Sequence, residues 1–142
     1  MKVTCSRIVR FDAGHRLYQH EGKCQNIHGH GYSVHITAEA PSLDKVGRVI
    51  DFSVLKQTIG GWIDQKWDHT IILYEKDKET VEVISKLQKD KEVFVAPFNP
   101  TAENMAKYLL EEICPKLLKD KEVKVTNIRV YETPNCYSDA SL

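Results

Sequence analysis

Neither sign of charge predominates in this chain. Its 142 residues include 20 Lys and Arg and 20 Asp and Glu, which gives a formal net charge of +0 at pH 7. Proteins that are held on nucleic acid or anionic lipid by their overall field carry a clear excess of Lys and Arg. The charge balance therefore argues against nucleic acid and membrane surfaces as partners, and it favours a small molecule.

A long apolar run is also absent. No segment approaches the roughly 20 consecutive apolar residues of a membrane-spanning helix. Charged residues interrupt the opening MKVTCSRIVRF, where a signal peptide would need an apolar centre. We expect a protein that makes no membrane contact and stays in the cytoplasm.

Cysteine is scarce, and the four cysteines form no C-x-x-C pair. A small secreted fold that depends on disulfides has a much higher cysteine density, so we expect free thiols. The length allows one substantial hydrophobic core but not two ordinary domains side by side. We therefore expect a single domain over residues 1–142.

Alternating apolar and polar residues predict three strands. The alternation is clear over 3–13 and clearer over 32–40, and a third strand is predicted at 123–132. In the third strand the apolar parity switches between Val125 and Ile128. That switch indicates either a bulge or a strand covered on both faces.

Helical spacing of apolar residues predicts helices over 52–63 and 78–89, with a short strand at 92–96. A third helix should begin at Thr101, a plausible N-cap, and Pro115 should kink or end it. The order strand, strand, helix, helix, strand favours an α+β domain with helices on one face of an antiparallel sheet.

The motif HGHGY places His28 and His30 two residues apart. If the second strand extends back to them, both imidazoles point to the same side as Tyr32. His15 has the parity of Ala13 on the neighbouring strand and could supply a third nitrogen. Three histidines with an open fourth position are typical of a catalytic zinc. A glycine-relaxed turn with two exposed histidines explains the motif equally well, because H-x-H alone is a weak signal.

Cys24 lies four residues before His28, close enough in the chain for its sulfur to reach a metal held there. Its neighbours Lys23, Gln25 and Asn26 are polar and indicate an accessible loop. A thiol beside a bound metal loses its proton more readily. We favour a general base or nucleophile at this position, although most isolated cysteines are small packed hydrophobes.

Asp68 and His69 are adjacent in the segment WDH after the first predicted helix. Side chains of adjacent residues diverge on regular elements, so the two need not touch. An Asp–His pair can hold one histidine tautomer for proton transfer. A helix C-terminus that favours the histidine charge is an equally good interpretation.

Two glutamates are less distinctive. Glu132 has the parity of Ile128 and Val130, which would place a carboxylate on the inward row at a strand end, where it needs donors. A surface acid past the end of the strand explains it as well. Glu103, in the first turn of the third predicted helix, is explained by the helix dipole alone.

Five segments in this order, FDAGHRL, CQNIHGHGY, WDH, NPTAENMA and YETP, resemble the family of 6-pyruvoyl-tetrahydropterin synthases and 6-carboxy-tetrahydropterin synthases. The likeness covers nearly the whole chain, and five motifs in register are far more specific than one. It implies the tunnelling fold, with an antiparallel four-stranded sheet and two main helices on one face. Trimers would form a barrel, and two trimers would stack into a homo-hexamer with active sites between subunits.

The resemblance also implies roles for individual residues. It implies a Zn²⁺ ion held by His15, His28 and His30. The implied catalytic residues are Cys24, Asp68 and His69. Those implied to bind the substrate, a pterin triphosphate, are Thr101, Glu103 and Glu132.

Residues 25–27 separate Cys24 from the HGH motif, and this short spacer resembles the carboxy-forming branch. The implied reaction converts 7,8-dihydroneopterin triphosphate and water into 6-carboxy-tetrahydropterin, acetaldehyde and triphosphate, on the route to queuosine. The nearest alternative is 6-pyruvoyl-tetrahydropterin synthase, which leaves the side chain uncleaved. A non-catalytic zinc or pterin-binding module is another, but it would not need Cys24 or His69.

Overall fold

The two longest strands pair side by side at the centre of the fold. In the computed structural model, which describes residues 1–142, β1 (Cys5–His15) and β2 (His28–Glu39) run antiparallel, and every residue of β1 has a partner on β2. The alternation that predicts them continues further than expected. Strand β1 ends at His15 and β2 begins at His28. These two residues pair directly, so the histidines lie at the same end of the strand pair.

The sheet has six strands, so the expectation of four antiparallel strands is wrong. Its order is β4-β3-β1-β2-β5-β6, with β3 (Ile71–Tyr74), β4 (Phe94–Ala96), β5 (Lys124–Thr133) and β6 (Cys136–Ser141). Strand β3 pairs in parallel with β1 and with β4, so the sheet is mixed. Sequence patterns do not predict β3 or β6. Strand β3, with the sequence IILY, is short and apolar throughout and shows no alternation, and β6, with the sequence CYSDAS, is largely polar.

The parity switch in the third predicted strand is a bulge. Thr37 pairs with Asn127 and Ala38 with Val125, so the register between β2 and β5 shifts by one residue at that point. The extra residue lets both Val125 and Ile128 reach the interior, where they are buried.

Three helical segments accompany the sheet. The first runs over 52–66 and contains a π-helical stretch at Lys56–Gly60, the second is Lys78–Leu87, and the third runs over 102–117 with a π-helical stretch at Leu109–Ile113. Pro115 follows the π-helical stretch directly, and the third segment ends two residues after it, at Leu117, close to the predicted end. None of the helices combines the length and apolar character needed to cross a membrane.

A cluster of 24 buried residues joins one face of the sheet to the first and third helices. The sheet contributes alternate residues of β2 and β5, and the helices contribute residues at helical spacing. Fully buried members of the cluster include Val34, Ile36, Ile128, Val130, Leu55, Ile59, Met105 and Leu109. The imidazole of His15 is fully buried at the end of this same face.

Candidate active site

Three imidazoles converge at one end of the central strand pair. His15 lies directly opposite His28 across the β1–β2 ladder, and Ala13 lies opposite His30. Because directly paired residues share a face, and so do residues two apart on a strand, all three rings project to the helix side of the sheet. One nitrogen from each of the three histidines lies within 4.8 Å of the other two.

Backbone carbonyls fix the tautomers of two of these rings. Nδ1 of His15 lies 2.8 Å from the carbonyl oxygen of Pro100, and Nδ1 of His28 lies 2.7 Å from that of Asn26. A carbonyl oxygen can only accept, so each Nδ1 carries the proton and donates it. Each Nε2 is then left with an unprotonated lone pair.

The two lone pairs face each other. Nε2 of His15 and Nε2 of His28 are 3.1 Å apart, and neither has a proton to share in the tautomers that the carbonyls impose. Such an arrangement is repulsive unless a cation lies against both nitrogens. In a tetrahedral zinc site with bonds of 2.0–2.1 Å, ligand nitrogens are about 3.3 Å apart. The residues present therefore fit a metal ion.

Burial favours the neutral, metal-binding form of two of the three rings, those of His15 and His30. Removal of water around His15 lowers its pKa to about 4, and the positive charges that His28 and His30 could carry push it the same way, against the hydrogen bond to Pro100. Burial also lowers the pKa of His30, although the neighbouring Glu132 carboxylate opposes that shift. A neutral imidazole near pH 7 does not have to release a proton before it binds a metal.

Glu132 lies beside the histidine cluster. Its Oε1 is 3.2 Å from Nε2 of His30, and its side chain is 25 % exposed. This contact is close but poorly aligned, because His30 Nε2 is buried without a hydrogen-bond partner. Burial raises the pKa of the nearby Tyr32 phenol, and the Glu132 carboxylate raises it further. The strand end thus holds a half-buried carboxylate next to the three imidazoles.

Cys24 lies in the loop between β1 and β2, residues 16–27, which we call the Cys24 loop. It is the middle residue of a short 3₁₀ turn, Lys23–Gln25, and its thiol is half-buried and free. Its carbonyl oxygen accepts a hydrogen bond from the Leu17 amide at 2.9 Å, which closes the loop. The sulfur is not part of the cluster of three imidazole nitrogens.

Asp68 and His69 do touch, because the backbone leaves regular structure between them. His69 has a φ of 59°, in the left-handed region, and its Nδ1 lies 2.9 Å from Oδ2 of Asp68. The turn is fixed to β1, since Asp12 donates its amide to Oδ1 of Asp68 and accepts the His69 amide at 2.7 Å. The two side chains therefore meet, although adjacent side chains on a regular element diverge.

Hydrogen bonds keep the Asp68 carboxylate ionised. Its partial burial alone would raise its pKa, but the Asp12 amide, the His69 ring and the charge of Lys91 together lower it. An ionised carboxylate on Nδ1 directs Nε2 of His69 outward. With 74 % of its side chain exposed, His69 borders a cavity of about 670 Å³ on the sheet face away from the helices.

Thr101 and Glu103 lie at the start of the third helix. The Thr101 hydroxyl accepts the Asn104 amide at 3.1 Å, which is the predicted N-cap. Glu103 is exposed in the first turn of that helix. The histidine cluster is adjacent to this helix start, because Pro100, which bonds His15, immediately precedes Thr101.

Comparison with known proteins decides the family. The model for "6-pyruvoyl tetrahydropterin synthase" matches residues 4–141 of this chain. The chain belongs to the 6-pyruvoyl tetrahydropterin synthase family. A relative from Rickettsia bellii, named 6-carboxy-5,6,7,8-tetrahydropterin synthase, is 44% identical over 135 residues, covering 95% of this chain and 97% of the relative.

Solved structures share the fold. An uncharacterized protein from Wolinella succinogenes superposes with a TM-score of 0.83 at 22% identity, over 99% of this chain and 98% of that one. The 6-pyruvoyl tetrahydropterin synthase of Caenorhabditis elegans superposes with a TM-score of 0.69 at 24% identity, over 100% and 96%. At these identities the likeness concerns the fold.

Within this family member, sequence patterns missed the groups that orient the histidines. The carbonyls of Asn26 and Pro100 carry no side-chain signal, and Pro100 is 85 residues from the ring it binds. Tyr32 reads as a core residue, yet its hydroxyl lies 3.2 Å from Nδ1 of His15. Asn99 looks like a turn residue, and only the fold shows that its side chain makes two hydrogen bonds to the Tyr18 backbone in the Cys24 loop.

Proposed function

We propose that this protein is a zinc-dependent 6-carboxy-5,6,7,8-tetrahydropterin synthase with one domain over residues 1–142. Its substrates would be 7,8-dihydroneopterin triphosphate and water, and its products 6-carboxy-tetrahydropterin, acetaldehyde and triphosphate, a precursor step toward queuosine. The observation that carries the proposal is the 44% identity, across 95% of the chain, to a relative of that name. The three facing imidazoles support it from the geometry.

His15, His28 and His30 are the proposed zinc ligands. A zinc ion bound there would act as a Lewis acid toward side-chain oxygens of the substrate and lower the energy of removing an adjacent proton. The Pro100 and Asn26 carbonyls contribute by holding two rings in the tautomer that presents Nε2.

Cys24 is the proposed proton carrier. It follows β1 and precedes β2, and its loop is closed by the bond between Leu17 and the Cys24 carbonyl. A half-buried thiol on a tied loop can approach the substrate carbons beside the metal and accept a proton as thiolate. Cys24 supplies the proton transfer in this proposal, and the imidazoles supply the binding of the metal.

His69 is the proposed second acid or base. Asp68 holds its Nδ1, so Nε2 is free to give or take a proton at the substrate side chain and at the departing triphosphate. The tie between this turn and β1 fixes the pair relative to the sheet.

Glu132, with Thr101 and Glu103, is proposed to bind the pterin ring. The half-buried Glu132 carboxylate can accept two hydrogen bonds, from the exocyclic amine and the neighbouring ring N–H, a bidentate contact that discriminates well. Thr101 and Glu103 lie at the helix start that adjoins the histidine cluster, where they would line the same pocket.

A product assay tests the proposed reaction. The purified protein with dihydroneopterin triphosphate should release acetaldehyde and form 6-carboxy-tetrahydropterin in equal amounts, measured by liquid chromatography with mass detection. Formation of 6-pyruvoyl-tetrahydropterin without acetaldehyde would instead assign the pyruvoyl-forming reaction. Pterin binding without turnover would assign a binding module.

We further propose that the protein is a homo-hexamer, two stacked trimers of the tunnelling fold, with each trimer closing a barrel and each active site between subunits. In one chain the Asp68–His69 group and the three-imidazole group are separate clusters. His69 is largely exposed in the single chain. A neighbouring subunit that presents its Asp68–His69 pair to this histidine cluster would complete the site.

Mixing two inactive variants tests the shared site. We expect Cys24→Ala and His69→Ala each to be inactive, and activity to return when they are unfolded and refolded together. If each site takes these two residues from different subunits, random mixing leaves about one quarter of the sites intact. Absence of any recovery in hexamers shown to be mixed would place both residues in the same subunit's site.

A further inference from the structure

The segment between β4 and the third helix, residues 97–101, is hydrogen-bonded to the Cys24 loop. Oδ1 of Asn99 accepts the Tyr18 amide at 2.9 Å, and Nδ2 of Asn99 donates to the Tyr18 carbonyl at 2.9 Å. One side-chain amide thus satisfies both backbone groups of a residue 81 positions away. Such a pair of bonds fixes the position and the orientation of that stretch of loop.

Tyr18 is one residue from the bond that closes the Cys24 loop. The Leu17 amide donates to the Cys24 carbonyl at 2.9 Å, so Cys24 is held against the stretch that Asn99 holds. On the other side, the Arg16 guanidinium lies 2.6 Å from the buried Asp77 carboxylate. The loop is therefore fixed at its base, and Asn99 is its link to the third helix.

Asn99 is itself fixed firmly. Its carbonyl oxygen accepts the Thr101 amide at 2.8 Å and the side-chain amide of Asn104 at 3.0 Å. The next residue, Pro100, accepts the His15 ring proton. Two consecutive residues thus hold the thiol loop and one imidazole of the proposed metal site, which sets the distance between the two.

We infer that Asn99 is a positioning residue for Cys24, an inference that rests on the proposed function. Binding both the amide and the carbonyl of Tyr18 requires a short side chain with a donor and an acceptor in one plane. A side-chain amide has both, whereas a carboxylate lacks the donor and a methyl group lacks both. Reacting groups displaced by about 1 Å can lose on the order of 10²-fold in rate. Asn99 acts on the rate through the placement of the thiol.

The variant Asn99→Ala tests the inference. We expect kcat to fall by about 10- to 100-fold. KM should change little, because Glu132 lies on a different element and the alanine variant keeps the backbone carbonyl that accepts the Thr101 amide. Bound zinc should remain stoichiometric, because the β1–β2 register holds the histidines and Pro100 keeps its carbonyl. Hydrogen–deuterium exchange should accelerate at the Tyr18 and Leu17 amides.

Further variants sharpen the test. Asn99→Asp keeps the acceptor for the Tyr18 amide but places a carboxylate oxygen against the Tyr18 carbonyl, so we expect kcat below that of the wild type while the Tyr18 amide stays more protected than in Asn99→Ala. Asn99→Gln keeps both the donor and the acceptor on a longer stem, and it serves if Asn99→Ala fails to fold, with kcat again expected below the wild type. Asn127→Ala removes another side-chain amide bond, to Ser141 on the outer strands, and should leave kcat, zinc and loop exchange unchanged.

Unchanged kcat and unchanged Tyr18 exchange in Asn99→Ala would overturn the inference. Loss of zinc together with activity would also overturn it, because Asn99 would then act through the metal ligands. The proposed function fails separately, if the wild-type protein does not turn over dihydroneopterin triphosphate. The exchange and zinc measurements still decide in that case whether Asn99 orders the Cys24 loop.

Discussion

Replacing Cys24 with alanine should reduce turnover of dihydroneopterin triphosphate by on the order of 10³-fold, the range expected when a general acid or base is removed. One zinc per chain should remain, because the sulfur is not part of the three-imidazole cluster. Steady-state product formation and metal analysis of the same sample measure both quantities. Turnover should fall because alanine cannot accept a proton. The loop should keep its fold because the bond from the Leu17 amide goes to the backbone carbonyl of residue 24, which alanine retains.

Cys136→Ala is the matched control. Cys136 is an exposed free thiol at the start of β6, so its loss should leave turnover and zinc content as in the wild type. Turnover that survives in Cys24→Ala would mean that another group moves the proton. An equal loss in both variants would point to a general effect of thiol removal.

Replacing His28 with alanine should remove the metal and the activity together. Two imidazoles remain, and the facing lone pair of His15 loses its counterpart. A bound metal stabilises a transition state by several kcal/mol, so its loss should reduce turnover by about 10³-fold. Metal content after dialysis should fall well below one per chain, while the circular dichroism spectrum stays native because His28 lies at the end of its strand.

His20→Ala is the control for this variant. His20 belongs to the β1–β2 connection and lies outside the histidine cluster. The His20→Ala protein should therefore keep one zinc per chain. If His28→Ala retained stoichiometric metal and wild-type turnover, the three imidazoles would not be the ligands.

The strand pair that builds the site follows from the sequence. Val34 and Ile36 alternate with polar residues clearly enough to fix the face of β2, and that face extends by parity to His28 and His30. The parity switch between Val125 and Ile128 also indicates the bulge in β5. Local periodicity carries this information because one face of each strand is buried.

Other features depend on contacts that no local pattern encodes. Strand β3 is recognisable only by its parallel pairing with the end of β1. His69 adopts a left-handed conformation that brings it onto Asp68, where regular geometry predicts divergence. Asn99 and Pro100 act on residues more than 80 positions away. Such long-range hydrogen bonds follow from topology.

X-ray absorption at the zinc edge of the purified wild-type protein tests the central claim most directly, namely that His15, His28 and His30 bind one metal. We predict one zinc per chain with three nitrogen ligands at about 2.0–2.1 Å, and loss of that signal together with turnover after treatment with a chelator. A metal-free protein that makes 6-carboxy-tetrahydropterin and is indifferent to chelators would contradict the account.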